Sequence, residues 1–367
     1  MDEWMPRYEL ATTVGIFFLH NKGYSVFIFV SRGADGMKIS ISAAATYYSP
    51  QKRSIERLAL DAQKTPDWSK KTGIKELHII EDKFTTTDVA ALVGRKAIDS
   101  INFDPEDIDQ LVYISEGISD YLYMDTSKTV IKKIGGRTDG SIYSYDFHRG
   151  SNGTIGVIKF IGNQISCNPL IKASLIDSAL LWEHHSNKRL LGETFLGDGA
   201  GALLLQKDLG YNRVLGIALA DMSEFNLVNG FKYGGTRHDL TEQTAREGKF
   251  VFDILDEEHL KGVLNNVVSF SVEAGKKALA DAGVSAEEID YIGISGFHQK
   301  YNDHILSEFP REASVINPLE TMGYLGTVGV MEVLKSFINN ESIKRGSTML
   351  VMANGIDINV EAMVIRK

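Results

Sequence analysis

Gly94-Arg-Lys-Ala-Ile-Asp-Ser-Ile-Asn-Phe-Asp-Pro-Glu-Asp-Ile-Asp109 runs into Gln-Leu-Val-Tyr-Ile-Ser, and Gly275-Lys-Lys-Ala-Leu-Ala-Asp-Ala-Gly-Val-Ser-Ala-Glu-Glu-Ile-Asp290 runs into Tyr-Ile-Gly-Ile-Ser. Each stretch reads as an amphipathic helix, a turn and a short buried strand. A second pair follows at similar separation. Gly153-Thr-Ile-Gly-Val-Ile-Lys-Phe160 echoes Gly326-Thr-Val-Gly-Val-Met-Glu-Val333, and each continues as a helix and then a strand, over 172–179 and 347–353. Two matched pairs in the same order make the chain two copies of one α/β unit, over residues 38–207 and 208–367. Duplicated α/β units with buried strands predict a layered fold in which helices lie between mixed sheets.

Composition narrows the function classes. The chain has 367 residues, 43% hydrophobic and 24% charged, enough for a large core or two fused half-domains. Its net charge of −9 and isoelectric point near 5.5 argue against nucleic-acid binding, which needs a basic footprint. The single cysteine, Cys167, rules out an internal disulfide and argues against structural zinc. No metal is expected, and a reducing cytoplasm fits. The most apolar stretch, 14–30, is broken by His20, Asn21, Lys22 and Gly23 and flanked by Asp2 and Glu3, so neither a membrane span nor a signal peptide is expected. A strand pattern opens at Met37, which predicts that residues 1–36 are an N-terminal extension and that the native chain starts near Met37.

Four further motifs give the duplicated frame a family likeness. They are Asp67-Trp68-Ser-Lys-Lys-Thr72-Gly73-Ile74, Leu196-Gly197-Asp198-Gly199-Ala200-Gly201-Ala202, Gly234-Gly235-Thr236-Arg237, and the closing Gly346-Ser-Thr-Met-Leu-Val-Met-Ala-Asn354-Gly355. In order and spacing they resemble the ketoacyl synthase III family over residues 38–367. That resemblance implies the thiolase fold: two pseudo-symmetric α/β halves in a layered αβαβα arrangement. The glycines of 197–201 offer positive φ and close backbone approach, so that turn is expected beside an active site. No helix start follows it, which argues against a nucleotide-phosphate loop.

The resemblance also assigns reacting groups. The family places a nucleophilic cysteine at the start of a buried helix after a strand ending Phe-Asp. Here Tyr145-Asp146-Phe147 leads into His148-Arg149-Gly150-Ser151-Asn152-Gly153, and the register puts Ser151 at that position. Cys167 lies sixteen residues later and reads as an ordinary small apolar residue. A helix N-terminus favours developing negative charge, yet a serine there needs an adjacent base. The alternative role for Ser151 is a helix cap. The base candidate is His298, in Gly296-Phe297-His298-Gln299, similar to the family's Pro-His-Gln motif. The internal repeat pairs Ser151 with Tyr324, so Tyr324 stands where the family has a thioester-binding asparagine, either donating a hydrogen bond or filling a reduced pocket. His148 and Arg149 replace small residues. They could bind an anionic substrate, supply a base or block the tunnel. Trp68 and Lys71 fall near positions that contact coenzyme A, and Asn354 and Gly355 belong to the closing loop at the substrate site.

These assignments imply an acyltransferase. Ser151 accepts an acyl group from acyl-CoA or an acyl carrier protein and passes it to an alcohol, an amine or a carrier thiol. Decarboxylative condensation is disfavoured, because the asparagine donor is missing and an oxyester is less electrophilic. Two alternatives stand beside it: an inactive partner subunit of a ketosynthase III-like heterodimer, and a serine-dependent condensing enzyme. No permanently bound cofactor is implied. A homodimer is expected, or a heterodimer with a paralogue, in specialised-metabolite or fatty-acid-related biosynthesis.

Overall fold

The computed structural model describes residues 39–148, 153–183, 185–186 and 188–367, the side chain of Pro66 excepted, and the backbone of 15–21 and 24–30. Gly15–Asn21 and Tyr24–Val30 pair as an antiparallel hairpin. The expected start near Met37 lies outside the described residues.

Ten strands form the body of the molecule: β1 (Ile39–Tyr47), β2 (Gln110–Ser115), β3 (Tyr143–His148), β4 (Ala173–Leu180), β5 (Gly199–Lys207), β6 (Arg213–Asp221), β7 (Tyr291–Ser295), β8 (Ser314–Ile316), β9 (Thr348–Asn354) and β10 (Asn359–Arg366). Their order is β8-β7-β9-β10-β6-β1-β5-β4-β2-β3. The β6–β1 junction is thin: one residue pair, Arg213 with Ser40, and the Ile41 N–H donating to the Asn212 carbonyl at 3.0 Å. The array is therefore two five-stranded sheets touching at one corner. In the first, β1, β5 and β4 are antiparallel and β4, β2 and β3 parallel. In the second, β6, β10 and β9 are antiparallel and β9, β7 and β8 parallel. The second sheet repeats the first strand for strand, as the internal repeat predicts.

Seven helices position the site: α1 (Pro66–Lys71), α2 (Thr86–Asp99), α3 (Thr126–Lys133), α4 (Thr154–Cys167), α5 (Glu257–Ala282), α6 (Gln299–Leu306) and α7 (Gly326–Ile338). The first repeated motif is α2 leading to β2 and α5 leading to β7. The second is α4 leading to β4 and α7 leading to β9. Local chemistry fixes the helix ends. Thr85 and Asp88 make a reciprocal capping box at the start of α2, and Gly283 closes α5 at φ +63°.

Strand alternation sorts side chains into layers. In β4, Ile176 faces α4 and α7, whereas Leu175 and Ala179 face α2. In β9, Met349 and Val351 face the middle layer, whereas Leu350 and Met352 face α5. The result is helix, sheet, helices, sheet, helix. The middle helices are apolar nearly all round because sheets cover both sides.

The glycine turn before β5 works differently from its sequence reading. None of Gly197, Gly199 and Gly201 has a left-handed φ. They supply room: a Cβ at Gly201 would lie 2.6 Å from the Met331 sulfur of α7, and one at Gly197 would strike the Met322 carbonyl oxygen. Asp198 in the same turn is a buried hub. It takes both guanidinium arms of buried Arg189, at 2.7 and 2.8 Å, and the N–H groups of Ile80 and Trp182. With every lone pair engaged, the buried charge is tolerated.

Candidate active site

The site is built where α4 and α7 begin. The strand expected to end at Phe147 runs one residue further, to His148, and α4 starts at Thr154 with Gly153 as its N-cap. The helix thus begins six residues later than the sequence reading places it. Ser151 and Arg149 lie in the intervening 149–152, outside the described residues. The buried Thr154 hydroxyl donates to the Thr327 carbonyl of α7 at 2.9 Å, so the two pseudo-symmetric helices meet at their N-termini. Each start holds a carboxyl: the Gly156 N–H donates to Glu361 at 3.0 Å, and the Thr327 N–H donates to Glu116. Helix starts attract negative charge because their first N–H groups lack intrahelical partners.

Glu116 was missed in the sequence. It follows β2, in which Val112 and Ile114 face the middle layer. Period-two alternation carries residue 116 onto that same face. Its carboxyl seats against Gly326, where any Cβ would collide with both oxygens. Glu116 is 7% exposed, and burial, reinforced by the neighbouring Asp357 charge, pushes its pKa up to about 8 against the pull of the Thr327 N–H.

Glu116, His148, Tyr324 and Asp357 line one cavity of roughly 250 Å³, whose other walls include Trp182 and Phe231. Tyr324 is clamped by its backbone: its N–H donates to the Phe195 carbonyl, and its carbonyl accepts from Gly197. Its ring packs edge-on to Phe297, with centroids 6.4 Å apart. Tyr324 therefore touches both the cavity and the segment that carries His298.

His298 is N-cap of α6, and its Nδ1 accepts the Lys300 N–H at 3.1 Å. Burial lowers its pKa, which favours the neutral ring. With Nδ1 accepting, the ring proton sits on Nε2, so this imidazole offers a donor where the sequence reading expects a base. His298 is also absent from the cavity lining.

The remaining expected residues scatter. Trp68 on α1 packs edge-on against Phe195 at 5.7 Å, with the Lys64 ammonium over its ring, and Lys71 is exposed. The Gln299 N–H donates to the Thr72 carbonyl, which brings α1 beside the His298 segment. Asn354 is fully buried, its amide without a hydrogen-bond partner among the described residues, Gly355 is buried too, and neither lines the cavity. Cys167, expected as an ordinary small apolar residue, is exposed at the end of α4. Gly234–Arg237 lies in an exposed loop. Among the described residues no group of metal-ligating side chains occurs, and no helix is long and apolar enough to cross a membrane.

Residues 279–367 match the C-terminal family of 3-oxoacyl-[acyl-carrier-protein] synthase III. The chain is 25% identical over 307 residues to β-ketoacyl-[acyl-carrier-protein] synthase III of Brucella anthropi, covering 81% of this chain and 88% of that one. It is 27% identical over 176 residues to the Ehrlichia canis synthase, covering 46% of this chain and about half of that relative, 52%. The crystal structure of the Pseudomonas aeruginosa synthase III superposes with a TM-score of 0.74 at 16% identity, over 90% of this chain and 98% of that one. The fold is that of ketoacyl synthase III. The ketoacyl synthase III-like frame, a thiolase fold, accounts for the abutting helix starts and for the glycine turn packed on α7.

Proposed function

We propose that this chain is a ketoacyl synthase III-type acyltransferase. It takes an acyl group from acyl-CoA or an acyl carrier protein onto Ser151 and passes it to an acceptor without decarboxylative condensation. The observation that carries this reading is the meeting of the α4 and α7 N-termini beside a cavity lined by His148 and Tyr324. Ser151 belongs to the four-residue link between His148 and Gly153. In this scheme His148 takes the hydroxyl proton as oxygen bonds to the thioester carbon. The thiol leaves with a proton returned by the same imidazole. The Nε2–H of His298 and helix-start N–H groups steady the oxyanion. Condensation is disfavoured because Tyr324 occupies the place the family resemblance gives to the thioester-binding asparagine.

Two observations favour a second reading, an inactive partner subunit: the Tyr324 ring is buried, and Nδ1 of His298 is committed to a cap. One experiment separates the two. Intact-mass analysis after incubation with a panel of acyl-CoA and acyl-carrier-protein thioesters is expected to show one acyl adduct, absent from Ser151→Ala. An unmodified chain across the panel, together with activity only in complex with a cysteine-bearing paralogue, selects the partner reading. Release of carbon dioxide from a malonyl thioester by the isolated chain selects the serine-dependent condensing enzyme.

A further inference from the structure

Asn302 and Asn354 are both fully buried, and none of their four side-chain polar atoms has a hydrogen-bond partner among the described residues. The fold brings the two carboxamides together. Ser295 of β7 and Ala353 of β9 are in parallel register, so the next residues, Gly296 and Asn354, come side by side. Two residues earlier on each strand, Ile294 and Met352 face α5, and period-two alternation turns Gly296 and Asn354 the same way. Asn302, in the first turn of α6, folds back onto Gly296: a Cβ there would strike the Asn302 oxygen and lie 3.0 Å from its nitrogen. One carboxamide therefore takes the space that glycine leaves, and the other sits on the adjacent strand. The layer they enter is apolar, with Phe297, Tyr301, Ile305 and Met352 in its core. A carboxamide offers two N–H donors and an oxygen with two lone pairs. Sealed in such a layer without partners, these groups forfeit the hydrogen bonds they make with solvent in the unfolded chain. A molecule that both donates and accepts satisfies the pair, and water is the one small enough for a fully enclosed place.

We infer that Asn302 and Asn354 hold one internal water between their carboxamides, and that this bridge positions His298. The histidine is bracketed by it. Gly296, two residues before His298, lies against the Asn302 amide, and the Asn302 N–H donates to the His298 carbonyl at 3.2 Å. Tying Asn302 through water to Asn354 fastens that turn to β9, an interior strand of the second sheet. A fastened turn keeps Nδ1 of His298 on the Lys300 N–H and so keeps the ring proton on Nε2. Asn302 and Asn354 are thus positioning residues, acting through the backbone that carries the imidazole. The inference stands apart from the acyl-transfer reading, since a water site and a ring tautomer exist whether or not Ser151 carries an acyl group.

Asn302→Leu and Asn354→Leu, alone and together, test the bridge in urea denaturation, because leucine keeps the branched outline of asparagine without its polar atoms. A shared water makes the two changes interdependent. Each single variant leaves the other amide unbonded and should lower the urea midpoint, whereas the double variant, with no polar atom left to satisfy, should recover part of the loss. A high-resolution crystal structure of the full chain should show one ordered water within hydrogen-bonding distance of both amides. Nitrogen-15 imidazole spectra read the positioning separately. Wild-type His298 should show the Nε2–H tautomer, and the double variant should shift toward a mixture of tautomers even as its midpoint recovers, which a purely structural role would not produce. Additive midpoint changes, or a well-ordered crystal structure with no water between the amides, overturn the water site. A His298 spectrum unchanged in the double variant overturns the positioning role.

Discussion

Asp177 lies in β4 with both carboxyl oxygens buried and unpartnered among the described residues, one of them against Gly94 of α2. Burial raises its pKa well above the ordinary carboxyl value. It therefore holds its proton in the fold and loses it on unfolding. Its contribution to stability is full at low pH and declines as pH rises past the ordinary carboxyl range, by up to about 1.4 kcal/mol per pH unit. Asp177→Asn, neutral at every pH, should match the wild type near about pH 4 and exceed it near about pH 8 in urea midpoints. His298 offers a cleaner separation of roles. Asn at this position keeps a side-chain acceptor for the Lys300 N–H but removes the Nε2–H. His298→Asn should hold stability within about 1 kcal/mol while acyl transfer falls about a hundred- to a thousandfold. At this scale the sequence could be read only in part. Tyr324 was legible because the repeat pairs it with Ser151. Glu116 was not singled out, although the ungapped repeat sets it opposite Phe297, a buried apolar residue. A carboxyl at an interior position of a repeat was the signal. The cap on His298 was invisible, because it depends on how the backbone turns into α6.

The helices and strands carry their own consequences. Gly326 opens α7 at φ +48° and leaves the space that the Glu116 carboxyl fills. Gly326→Ala should displace that carboxyl, with destabilisation of about 1–3 kcal/mol in chemical denaturation. Arg189→Met leaves the buried Asp198 charge with only its two N–H donors; a loss of about 3–5 kcal/mol is expected by the same method. Both helix–strand pairs were legible because their apolar spacing repeats, with Ile-Asp before the first strand and Gly-Thr-x-Gly-Val at the second helix shared between the copies. The start of α4 was displaced in the reading because Gly153, not a hydroxyl side chain, occupies its N-cap. Arg189 escaped notice, since its partner Asp198 sits in a motif that looks complete without it.

The whole molecule ends its sheet array at two unequal edges. β8 has three residues, whereas β3 has six and carries exposed Tyr143. Short edges resist pairing and longer ones invite it. Exposed Tyr121, Leu122 and Tyr123 precede α3, which docks on β3 through Ser127 and Asp146. Light scattering should therefore report a dimer, shifted to monomer by Leu122→Glu with Tyr123→Glu; an unchanged mass would place any interface elsewhere. The two-sheet frame was legible from duplication alone. The cavity was not, because its walls come from segments more than two hundred residues apart. The central claim concerns where the acyl group lands, and peptide mapping by tandem mass spectrometry of protein treated with acyl-CoA tests it most directly. Acyl on Ser151, lost in Ser151→Ala and retained in Ser151→Cys as a thioester, is the predicted result. Acyl on the exposed Cys167, or on no residue, would contradict it.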